Sequence, residues 1–377
     1  MTKQPTPVRG GVIIAGGGTA GHLVPGLAIA EALIARGTSR GEIHFVGSTR
    51  GLETTMVPEA GFGLTVLSGR GINERRLNIA NVRSAVGILQ AIVKGIRLVR
   101  RARPRAVVSL GGYASLPGAI GAVITRTPLV IAEQNARASL SNRLVARWAK
   151  ASSVPVPGTG LRREVVTGNP VRPEAVAAAG LDPSEARRSM GWPTDATVIL
   201  VFGGSLGARR INQAVWSAAP RLLAAEPSVQ IHHAVGSRDW PDLPPEMLSL
   251  DRYHAVEYEY QLELAMAGAD LALCRAGGST VSELAVTGLP AMLVPLPIAP
   301  NDHQTANAAA LVNAGAAVLI PDEDLDGDRV IGETLAILGD EQHSLADRRS
   351  AARLVGHPDA ADRVAQLVET YARSEQQ

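Results

Sequence analysis

Residues 11 to 22 of the chain are Gly-Val-Ile-Ile-Ala-Gly-Gly-Gly-Thr-Ala-Gly-His: a short apolar run, a glycine-rich loop and the start of a helical pattern. Residues 197 to 208 repeat this order as Thr-Val-Ile-Leu-Val-Phe-Gly-Gly-Ser-Leu-Gly-Ala. Apolar runs that are continuous rather than alternating indicate strands buried on both faces of a parallel sheet. The two similar units therefore predict an α/β protein with two doubly wound domains.

Further apolar runs predict the remaining strands of both sheets. They are Ile43–Val46, Leu64–Leu67, Ala106–Leu110 and Leu129–Ala132 in the first half, and Gln230–Val235, Asp270–Cys274, Ala291–Val294 and Ala316–Ile320 in the second. Helical patterns lie between most of these strands, for example at Pro25–Arg36 and Arg209–Ala225. Alternation of strands and helices is typical of βαβ units.

The polar turn Thr167-Gly-Asn-Pro-Val-Arg172 follows the strand-like pair Val165-Val166 and is the expected hinge. We therefore predict a first domain at 1–167 and a second at 168–354. A last helix at about 355–377 is expected to pack back onto the first domain.

Length and composition agree with two aliphatic domains. The chain has 377 residues, of which 46% are hydrophobic and 3% aromatic, so its cores must consist of Ala, Val, Leu and Ile. The single Cys274 excludes a disulfide framework or a cysteine zinc site and fits a reducing cytoplasm. Met1–Arg9 is polar and no apolar run is long enough to span a membrane, so we expect a soluble protein without a secretory signal.

The net charge of +2 conceals an asymmetry between the two halves. The first 167 residues hold 22 of the 37 Lys and Arg residues and 7 of the 35 Asp and Glu residues, giving a net +15 there and −13 in the remainder. This asymmetry indicates that one half meets an anionic surface or ligand. The alternative is a compositional difference between two domains that attract each other.

The first glycine loop, Gly16–Gly21, fits the G-x-G-x-x-G pattern, in which backbone N–H groups approach a diphosphate at a helix N-terminus. No acidic residue ends the following strand to hold a ribose, which argues against a dinucleotide. His22 follows the loop, and its imidazole could take a proton from a sugar hydroxyl near neutral pH. Glu133-Gln-Asn135 lies at the carboxyl end of a strand, where open α/β sheets bind ligands. The alternatives are a tight turn, a packed or solvated histidine and a simple polar turn.

The second half offers a similar set of polar groups. Two glycines and then Ser279 and Thr280 begin a helix after Cys274, so that N–H groups and hydroxyls face a phosphate. Glu283, one turn later, could accept both hydroxyls of a ribose. Gly203-Gly-Ser-Leu-Gly207 forms a second anion-binding loop, and Asn301-Asp-His-Gln304 adds groups that could bind a sugar. A capped helix explains Ser279 and Thr280 but not the adjacent glycine pair.

Several catalytic and metal-binding motifs are absent from the sequence. It contains no P-loop, no H-E-x-x-H and no G-x-S-x-G. Asp322-Glu-Asp324 superficially resembles an acidic metal triad, but a solvated turn accounts for it. We therefore expect neither a metal nor a cofactor.

The ordered set of motifs resembles the MurG family of glycosyltransferases along most of the chain. The resemblance rests on Gly17-Gly-Gly-Thr-Ala-Gly-His22 with Pro25-Gly-Leu-Ala28, Gly111-Gly-Tyr113, Glu133-Gln-Asn135, Gly168-Asn-Pro-Val-Arg172, Gly203-Gly-Ser-Leu-Gly-Ala208, Thr280-Val-Ser-Glu283 and Asp302-His-Gln304. It implies a GT-B architecture, two Rossmann-like domains facing across a cleft. It also implies inverting transfer of N-acetylglucosamine from UDP-N-acetylglucosamine to undecaprenyl-diphosphate-linked muramyl pentapeptide, the lipid I to lipid II step of peptidoglycan synthesis in cell-wall growth and division.

The resemblance also implies roles for particular residues. His22 is the expected base, with Glu133 as the alternative. The substrate-binding residues carried over are Thr19, Ala20, Gly21, Tyr113, Asn135, Arg172, Ser205, Gly278, Ser279, Thr280, Val281, Ser282, Glu283 and Gln304. The sequence departs from the family at Ala20, where another glycine is frequent, at Ala132, where a histidine is common, and at Tyr258-Glu-Tyr260, where an apolar contact to uracil is usual.

A basic segment predicts peripheral binding of the N-terminal domain to the cytoplasmic face of the inner membrane, and no nucleic-acid partner is expected. Its charges are Arg70, Arg75, Arg76, Arg83, Lys94, Arg97, Arg100, Arg101, Arg103 and Arg105 against Glu74 alone. Apolar residues at helical spacing lie between them, and basic residues near an anionic leaflet contribute about 1 kcal/mol each. The alternative is a helix with a solvated basic face.

Three other functions fit parts of this pattern. A GT-B enzyme with a glycolipid or small-molecule acceptor would keep the fold and the UDP-sugar. A UDP-sugar epimerase would release a sugar isomer without an acceptor. A non-enzymatic membrane scaffold would use only the basic half and would not bind a UDP-sugar.

Overall fold

The structure, a computed structural model, describes residues 7–49, 51–67, 79–204 and 206–373, and over 79–86 it describes the backbone alone. It divides into two compact units, Met1–Arg172 with Pro358–Gln377, and Pro173–His357. The division falls at the end of the predicted hinge, and the last helix belongs to the first unit.

The first unit contains a parallel sheet with the strand order β3-β2-β1-β4-β5-β6-β7. Its strands are β1 (Val12–Ala15), β2 (Ile43–Ser48), β3 (Gly63–Leu67), β4 (Ala106–Ser109), β5 (Leu129–Ala132), β6 (Ala151–Val154) and β7 (Glu164–Val166). The helices that follow them are α1 (Ala20–Ala35), α2 (Glu53–Glu59), α3 (Ile79–Ala102), α4 (Leu116–Ile124) and α5 (Leu140–Val145). The side chains of β1, β4 and β5 are buried on both faces of the sheet.

The second unit begins with α6 (Pro173–Ala178) and α7 (Pro183–Met190) and repeats the design with the strand order β10-β9-β8-β11-β12-β13. Its strands, again parallel, are β8 (Thr197–Phe202), β9 (Val229–Ala234), β10 (Tyr253–Val256), β11 (Leu271–Cys274), β12 (Ala291–Leu293) and β13 (Ala317–Leu319). Its other helices are α8 (Arg209–Ala225), α9 (Leu262–Gly268), α10 (Gly278–Thr287), α11 (His303–Asn313), α12 (Gly327–Leu338) and α13 (Leu345–Val355).

The final helix α14 (Ala360–Tyr371) is built into the core of the first unit. Val364, Ala365 and Val368 are fully buried in the cluster that contains β1 and α1. On its outer side, Arg36 forms ion pairs of 2.9 Å with Asp362 and 2.8 Å with Glu369. Apolar burial therefore holds the helix, and the exposed ion pairs add little to it.

The ends of the predicted strands are confirmed to within two residues. Two strands, β6 and β10, were not predicted. Ala151-Ser-Ser-Val154 forms β6 although its centre is polar, because both serine hydroxyls find partners in the buried sheet. The prediction that α1 begins at Pro25 was wrong. The helix begins at Ala20 and Pro25 is buried inside it, which places His22 in the first turn.

The structure contains two buried histidines whose protonation should lower the free energy of unfolding in mild acid. His44 lies 2.8 Å from the Thr65 hydroxyl, and burial lowers its pKa to about 4. His233 lies between the Tyr253 hydroxyl and Asn212 Oδ1, and burial lowers its pKa to about 3. Both values lie below the unfolded value of about 6.5. The stabilisation is therefore complete above pH 6.5 and is lost as the pH falls towards 4 and 3.

We expect each of these two histidines to lower the free energy of unfolding by about 2 kcal/mol between pH 8 and pH 5. Denaturant unfolding of the wild type and of His44→Gln at both pH values measures this, because the variant should lose about that much less on acidification. His254→Gln, at an exposed histidine, is the control. Equal pH dependence in the wild type and His44→Gln would contradict the assignment.

Candidate active site

Both candidate ligand sites lie where the direction of strand order reverses. In the first unit this point lies between β1 and β4, and in the second between β8 and β11. Loops after such strands diverge and leave a crevice at the carboxyl edge of the sheet. The helices that follow β1, β8 and β11 begin at this edge, and their N-cap residues Thr19, Ala208 and Gly277 form no side-chain capping hydrogen bond.

The first glycine loop brings His22 to the carboxyl edge of the first sheet. Gly17 and Gly18 adopt φ values of 146° and 95°, which only glycine adopts easily. Thr19 Oγ1 lies 3.1 Å from His22 Nδ1 and orients the imidazole. Thr19, Ala20 and Gly21 are exposed, as a substrate-binding role requires, whereas His22 is half-buried.

A buried carboxylate lies beneath this loop. Glu53 is completely buried and accepts hydrogen bonds from Gly18 N–H (2.8 Å), Ser48 N–H (2.7 Å) and the Ser48 hydroxyl (2.8 Å). A Cβ atom at Gly17 would lie 2.5 Å from the Glu53 Cδ atom, so the glycine is needed for close approach. The sequence motif predicts that the N–H groups of this loop bind an anionic ligand. The Gly18 N–H instead donates to the Glu53 carboxylate.

The loop after β4 completes the surroundings of His22. Gly111 and Gly112 have φ values of 87° and 70°, and a Cβ atom at Gly111 would lie 3.5 Å from His22 Cδ2. The Tyr113 hydroxyl donates to Ser48 Oγ at 3.1 Å, and its ring is 38% exposed. Tyr113 therefore connects the Glu53 cluster to the exposed edge of the site.

Glu133 lies in the adjacent loop, where six hydrogen bonds surround its carboxylate. Oε1 accepts from Gln134 N–H and from the backbone and side chain of Asn135, at 3.2–3.3 Å. Oε2 accepts from the backbone N–H and the hydroxyl of Ser139 and from Asn142 Nδ2, at 2.9–3.0 Å. The side chain is 1% exposed. Six donors occupy the lone pairs of both oxygens, and this geometry suits a structural role better than proton removal.

The second unit presents the uncapped N-terminus of α10. Gly277 precedes the helix, and the first intrahelical bond of the helix runs from Val281 N–H to Gly277 O at 2.9 Å. The N–H groups of Gly278, Ser279 and Thr280 precede that bond and no acidic side chain lies in the first turn, which suits a phosphate.

The remaining predicted residues of α10 are less accessible. Val281 is buried, the Ser282 hydroxyl donates to Gly278 O at 2.9 Å, and Glu283 is 5% exposed. The side chains of Val281 and Ser282 are therefore engaged within the protein. Glu283 lies one turn from the helix start, as the sequence predicts.

The loop between β8 and α8 is fixed against the end of β9. A Cβ atom at Gly207 would lie 2.1 Å from Val235 O, so only glycine fits there. The fully buried Asp239 accepts from Arg238 and Arg209, and the hydrogen bond from Arg238 contributes most to lowering its pKa. Ser205, a predicted substrate residue in this loop, lies outside the described residues.

A small cavity of about 70 Å³ lies beside this loop, lined by Phe202, Gly204, Ala234, Gly236, Glu257, Tyr258, Glu259 and Leu262. The Tyr258 ring is 47% exposed and packs edge-on against Tyr260, with 4.9 Å between ring centroids. Flat aromatic and apolar walls of this kind suit a planar base. Sequence reasoning identified only the tyrosine pair, because the other walls come from the ends of β8 and β9, the loops that follow them and the start of α9.

Gln304 and Arg275 order the loop after β12. Gln304 Oε1 accepts from Leu296 N–H at 2.9 Å, and Arg275 donates to Asp322 Oδ1 at 2.6 Å. The prediction of a solvated acidic turn was therefore wrong for Asp322, since the Arg275 guanidinium holds it half-buried. Within the described ranges, no three His, Cys, Asp or Glu side chains form a group that could bind a metal.

Other predictions fall outside these two clusters. Arg172 is half-buried at the end of the first unit. Arg70, Arg75 and Arg76 lie outside the described residues, as does the side chain of Arg83. Among the helices of the described chain, none has the length and apolarity needed to span a membrane.

Sequence reasoning missed Glu53, Ser139 and Asn142. Glu53 resembles any acidic residue at a helix start, and only the fold places it beneath a loop 35 residues earlier. Ser139, the N-cap residue of α5, and the buried Asn142 gave no sign of this role in the sequence, because their shared partner Glu133 is six and nine residues away.

Comparison with known proteins identifies related chains. The glycosyltransferase family 28 N-terminal domain matches residues 12–154, and the C-terminal domain of that family matches 198–364. The UDP-N-acetylglucosamine–N-acetylmuramyl-(pentapeptide) pyrophosphoryl-undecaprenol N-acetylglucosamine transferase of Mycolicibacterium smegmatis is 42% identical, covering 96% of this chain and 94% of its own length.

Two solved structures show the same fold. Acinetobacter baumannii MurG has a TM-score of 0.75 at 27% identity, covering 97% of this chain and 100% of that one. The UDP-GlcNAc 2-epimerase of Neisseria meningitidis has a TM-score of 0.64 at 12% identity, covering 96% of this chain and 100% of that one. At 12% identity the likeness concerns the fold alone.

Replacing Glu53 should destabilise the first unit. Glu53→Ala leaves the buried N–H and hydroxyl of Ser48 and the half-buried N–H of Gly18 without their acceptor, and we expect a loss of about 3 kcal/mol in the free energy of unfolding. Denaturant titration measures this loss. Glu59→Ala, at an exposed position of the same helix, is the matched control. Equal stability of the two variants would show that the carboxylate does not hold the loop.

Proposed function

The chain belongs to glycosyltransferase family 28, and from this premise we propose that it transfers N-acetylglucosamine from UDP-N-acetylglucosamine to undecaprenyl-diphosphate-linked muramyl pentapeptide. This reaction converts lipid I to lipid II in peptidoglycan synthesis, on which cell-wall growth, cell shape and division depend. The observation that carries the proposal is 42% identity to the mycobacterial transferase over 96% of the chain. The two-domain fold is accordingly of the GT-B type.

The second unit is the proposed donor site. In this proposal the diphosphate binds at the start of α10, the positive end of its helix dipole, Glu283 accepts the ribose hydroxyls, and the uracil ring binds in the cavity beside Tyr258. Gln304, in the first turn of α11, is proposed to contact the sugar. The positive ends of helix dipoles, together with Arg172, stabilise the departing diphosphate.

The first unit is the proposed site of proton removal. A muramyl hydroxyl oxygen attacks the anomeric carbon and forms the new C–O bond, while the bond from that carbon to the diphosphate oxygen breaks and UDP leaves with the electron pair. The hydroxyl proton passes to a His22 ring nitrogen. This single displacement inverts the anomeric configuration. His22 is favoured over Glu133 because the carboxylate of Glu133 already accepts six hydrogen bonds.

The other candidate functions have weaker support. The epimerase likeness concerns the fold alone, whereas relatives at 36–42% identity over 96% of the chain are named as transferases to the lipid-linked muramyl sugar. A scaffold without a UDP-sugar would not need an uncapped helix start beside an apolar cavity. No described contact favours a glycolipid or small-molecule acceptor.

The first unit is the proposed membrane-facing part, on the cytoplasmic face. Leu89 and Val93 on α3 are 63% and 39% exposed, and Lys94, Arg97 and Arg101 on the same helix are also exposed. Apolar side chains next to basic ones are typical of helices that lie at an anionic bilayer surface. This arrangement supports peripheral docking where a lipid-linked acceptor is presented.

Replacing His22 should affect chemistry more than binding. Positioned general bases contribute 10²–10⁴-fold to rate, so His22→Ala should lower kcat by about that factor with UDP-N-acetylglucosamine affinity nearly unchanged. Steady-state assays and calorimetric titration separate the two effects, with the exposed His254→Ala as control. A loss of less than about tenfold in a folded variant would transfer the role to Glu133.

Replacing Glu283 should weaken donor binding. The loss of a charge-assisted hydrogen bond to the ribose costs about 1.5–3 kcal/mol, so Glu283→Ala should bind UDP-N-acetylglucosamine about ten- to a hundredfold more weakly. Calorimetry on Glu283→Ala and Glu283→Gln, with the exposed Glu246→Ala as control, measures this. Unchanged affinity in the Glu283 variants would overturn the assignment.

A further inference from the structure

A large basic groove lies at the edge of the first sheet opposite His22. It occupies about 920 Å³ and is lined by Arg9, Gly10, Ile96, Val99, Arg100, Arg103, Arg105, Ile124, Thr125, Thr127 and Arg373. Three short segments of this lining immediately precede β1, β4 and β5. The His22 loop follows the carboxyl end of β1, so a four-residue strand, about 13 Å long, separates the groove from the proposed catalytic site.

The described residues that line the groove carry only positive charge. Among the described residues, five arginines line it and no Asp or Glu does, and none of the five forms an ion pair with a described carboxylate. Arg9, Arg100 and Arg103 are exposed. Five like charges that converge on one groove repel one another, and no acidic side chain in the described lining offsets this.

Two of the five guanidinium groups are held in place. Arg105 donates to the Thr38 hydroxyl at 2.6 Å, and Arg373 donates to the carbonyls of Arg126 at 2.5 Å and Thr125 at 3.3 Å. The backbone N–H of Arg373 also donates to Arg105 O at 3.0 Å. The groove is therefore partly pre-organised, which lowers the entropic cost of binding an anion.

Capping of α3 explains only part of this cluster. Arg100 lies in the last turn of the helix, where a cation is stabilised by the helix dipole. That effect does not account for Arg9 and Arg373, which come from the two ends of the described chain and meet at the same groove. Lys94, Arg97 and Arg101 line a different groove beside β3, so the basic segment of the sequence faces two separate surfaces.

We propose that the five-arginine groove binds an anion with several closely spaced phosphate groups, at a site separate from those of the donor and the acceptor sugar. Arginine forks match phosphate oxygens, and one phosphate would leave most of the positive charge uncompensated. Ile96, Val99 and Ile124 provide an apolar wall for the rest of the ligand. The phosphates can belong to a soluble polyphosphate or to lipid headgroups, and the proposal does not depend on transferase activity.

The test compares two triple variants of the full-length protein. The groove variant is Arg9→Ser, Arg100→Ser and Arg103→Asn, where asparagine tolerates the φ of 44° at position 103. The control is Arg147→Ser, Lys150→Ser and Arg162→Ser, which removes the same charge from exposed positions of the first unit that line neither groove. Calorimetry with inorganic tripolyphosphate and sedimentation with phosphatidylglycerol or phosphatidylcholine vesicles are measured on both variants and the wild type. Thermal unfolding verifies that each variant is folded.

The two sources predict different results. For a soluble ligand, the groove variant binds tripolyphosphate at least about tenfold more weakly than the wild type, as expected for lost charge-assisted bonds, and the control does not. For a lipid source, the groove variant alone loses binding to phosphatidylglycerol vesicles, with no binding of any protein to phosphatidylcholine. Equal losses in both variants, or no binding by the wild type to either probe, would overturn the proposal.

Discussion

Burial of the parallel strands on both faces is the constraint on which the rest of the structure depends. β1, β4 and β5 in the first unit, and β8 and β11 in the second, are almost entirely apolar and covered by helices. Polar chemistry is therefore confined to the two edges where strands begin and end. The carboxyl edges hold both candidate substrate sites, and the amino edge of the first sheet holds the arginine groove.

The helices at the switch points begin without side-chain caps, as do α2, α4, α9, α11 and α14. The helices α5, α7, α12 and α13 lie away from the switch points, and each begins with a capping hydrogen bond from its own Ser or Asp. The helices after β1, β8 and β11 have no such cap among the described residues. An uncapped N-terminus costs stability unless another anion satisfies it. In the second unit the proposed diphosphate does so.

In the first unit, two buried carboxylates satisfy the loops instead. Glu53 and Glu133 together accept nine hydrogen bonds from the glycine loop, the end of β2 and the segment around Asn142. They fix the backbone around His22, whose imidazole Nδ1 lies 3.1 Å from Thr19 Oγ1. In the first unit the glycine-rich loop thus binds a carboxylate of the protein itself, Glu53. In the second unit the proposed anion is the diphosphate of the donor.

The fold was predictable from the sequence because most of its strands are continuous apolar runs. The candidate site residues were predictable because they follow those runs directly. Short strands with polar centres, such as β6, were not predictable, since their burial depends on partners distant in sequence. The role of Glu53 was hidden for the same reason. The resemblance of the ordered motifs to a known family supplied the substrate, which neither Gly203 nor Gly277 specifies by itself.

The most direct measurement of the central claim is UDP release from UDP-N-acetylglucosamine with and without the lipid-linked muramyl pentapeptide. The account predicts that UDP appears only when the acceptor is present, in equal amount to the disaccharide-linked lipid formed. Appearance of an isomerised sugar without acceptor, or no UDP release with it, would contradict the account.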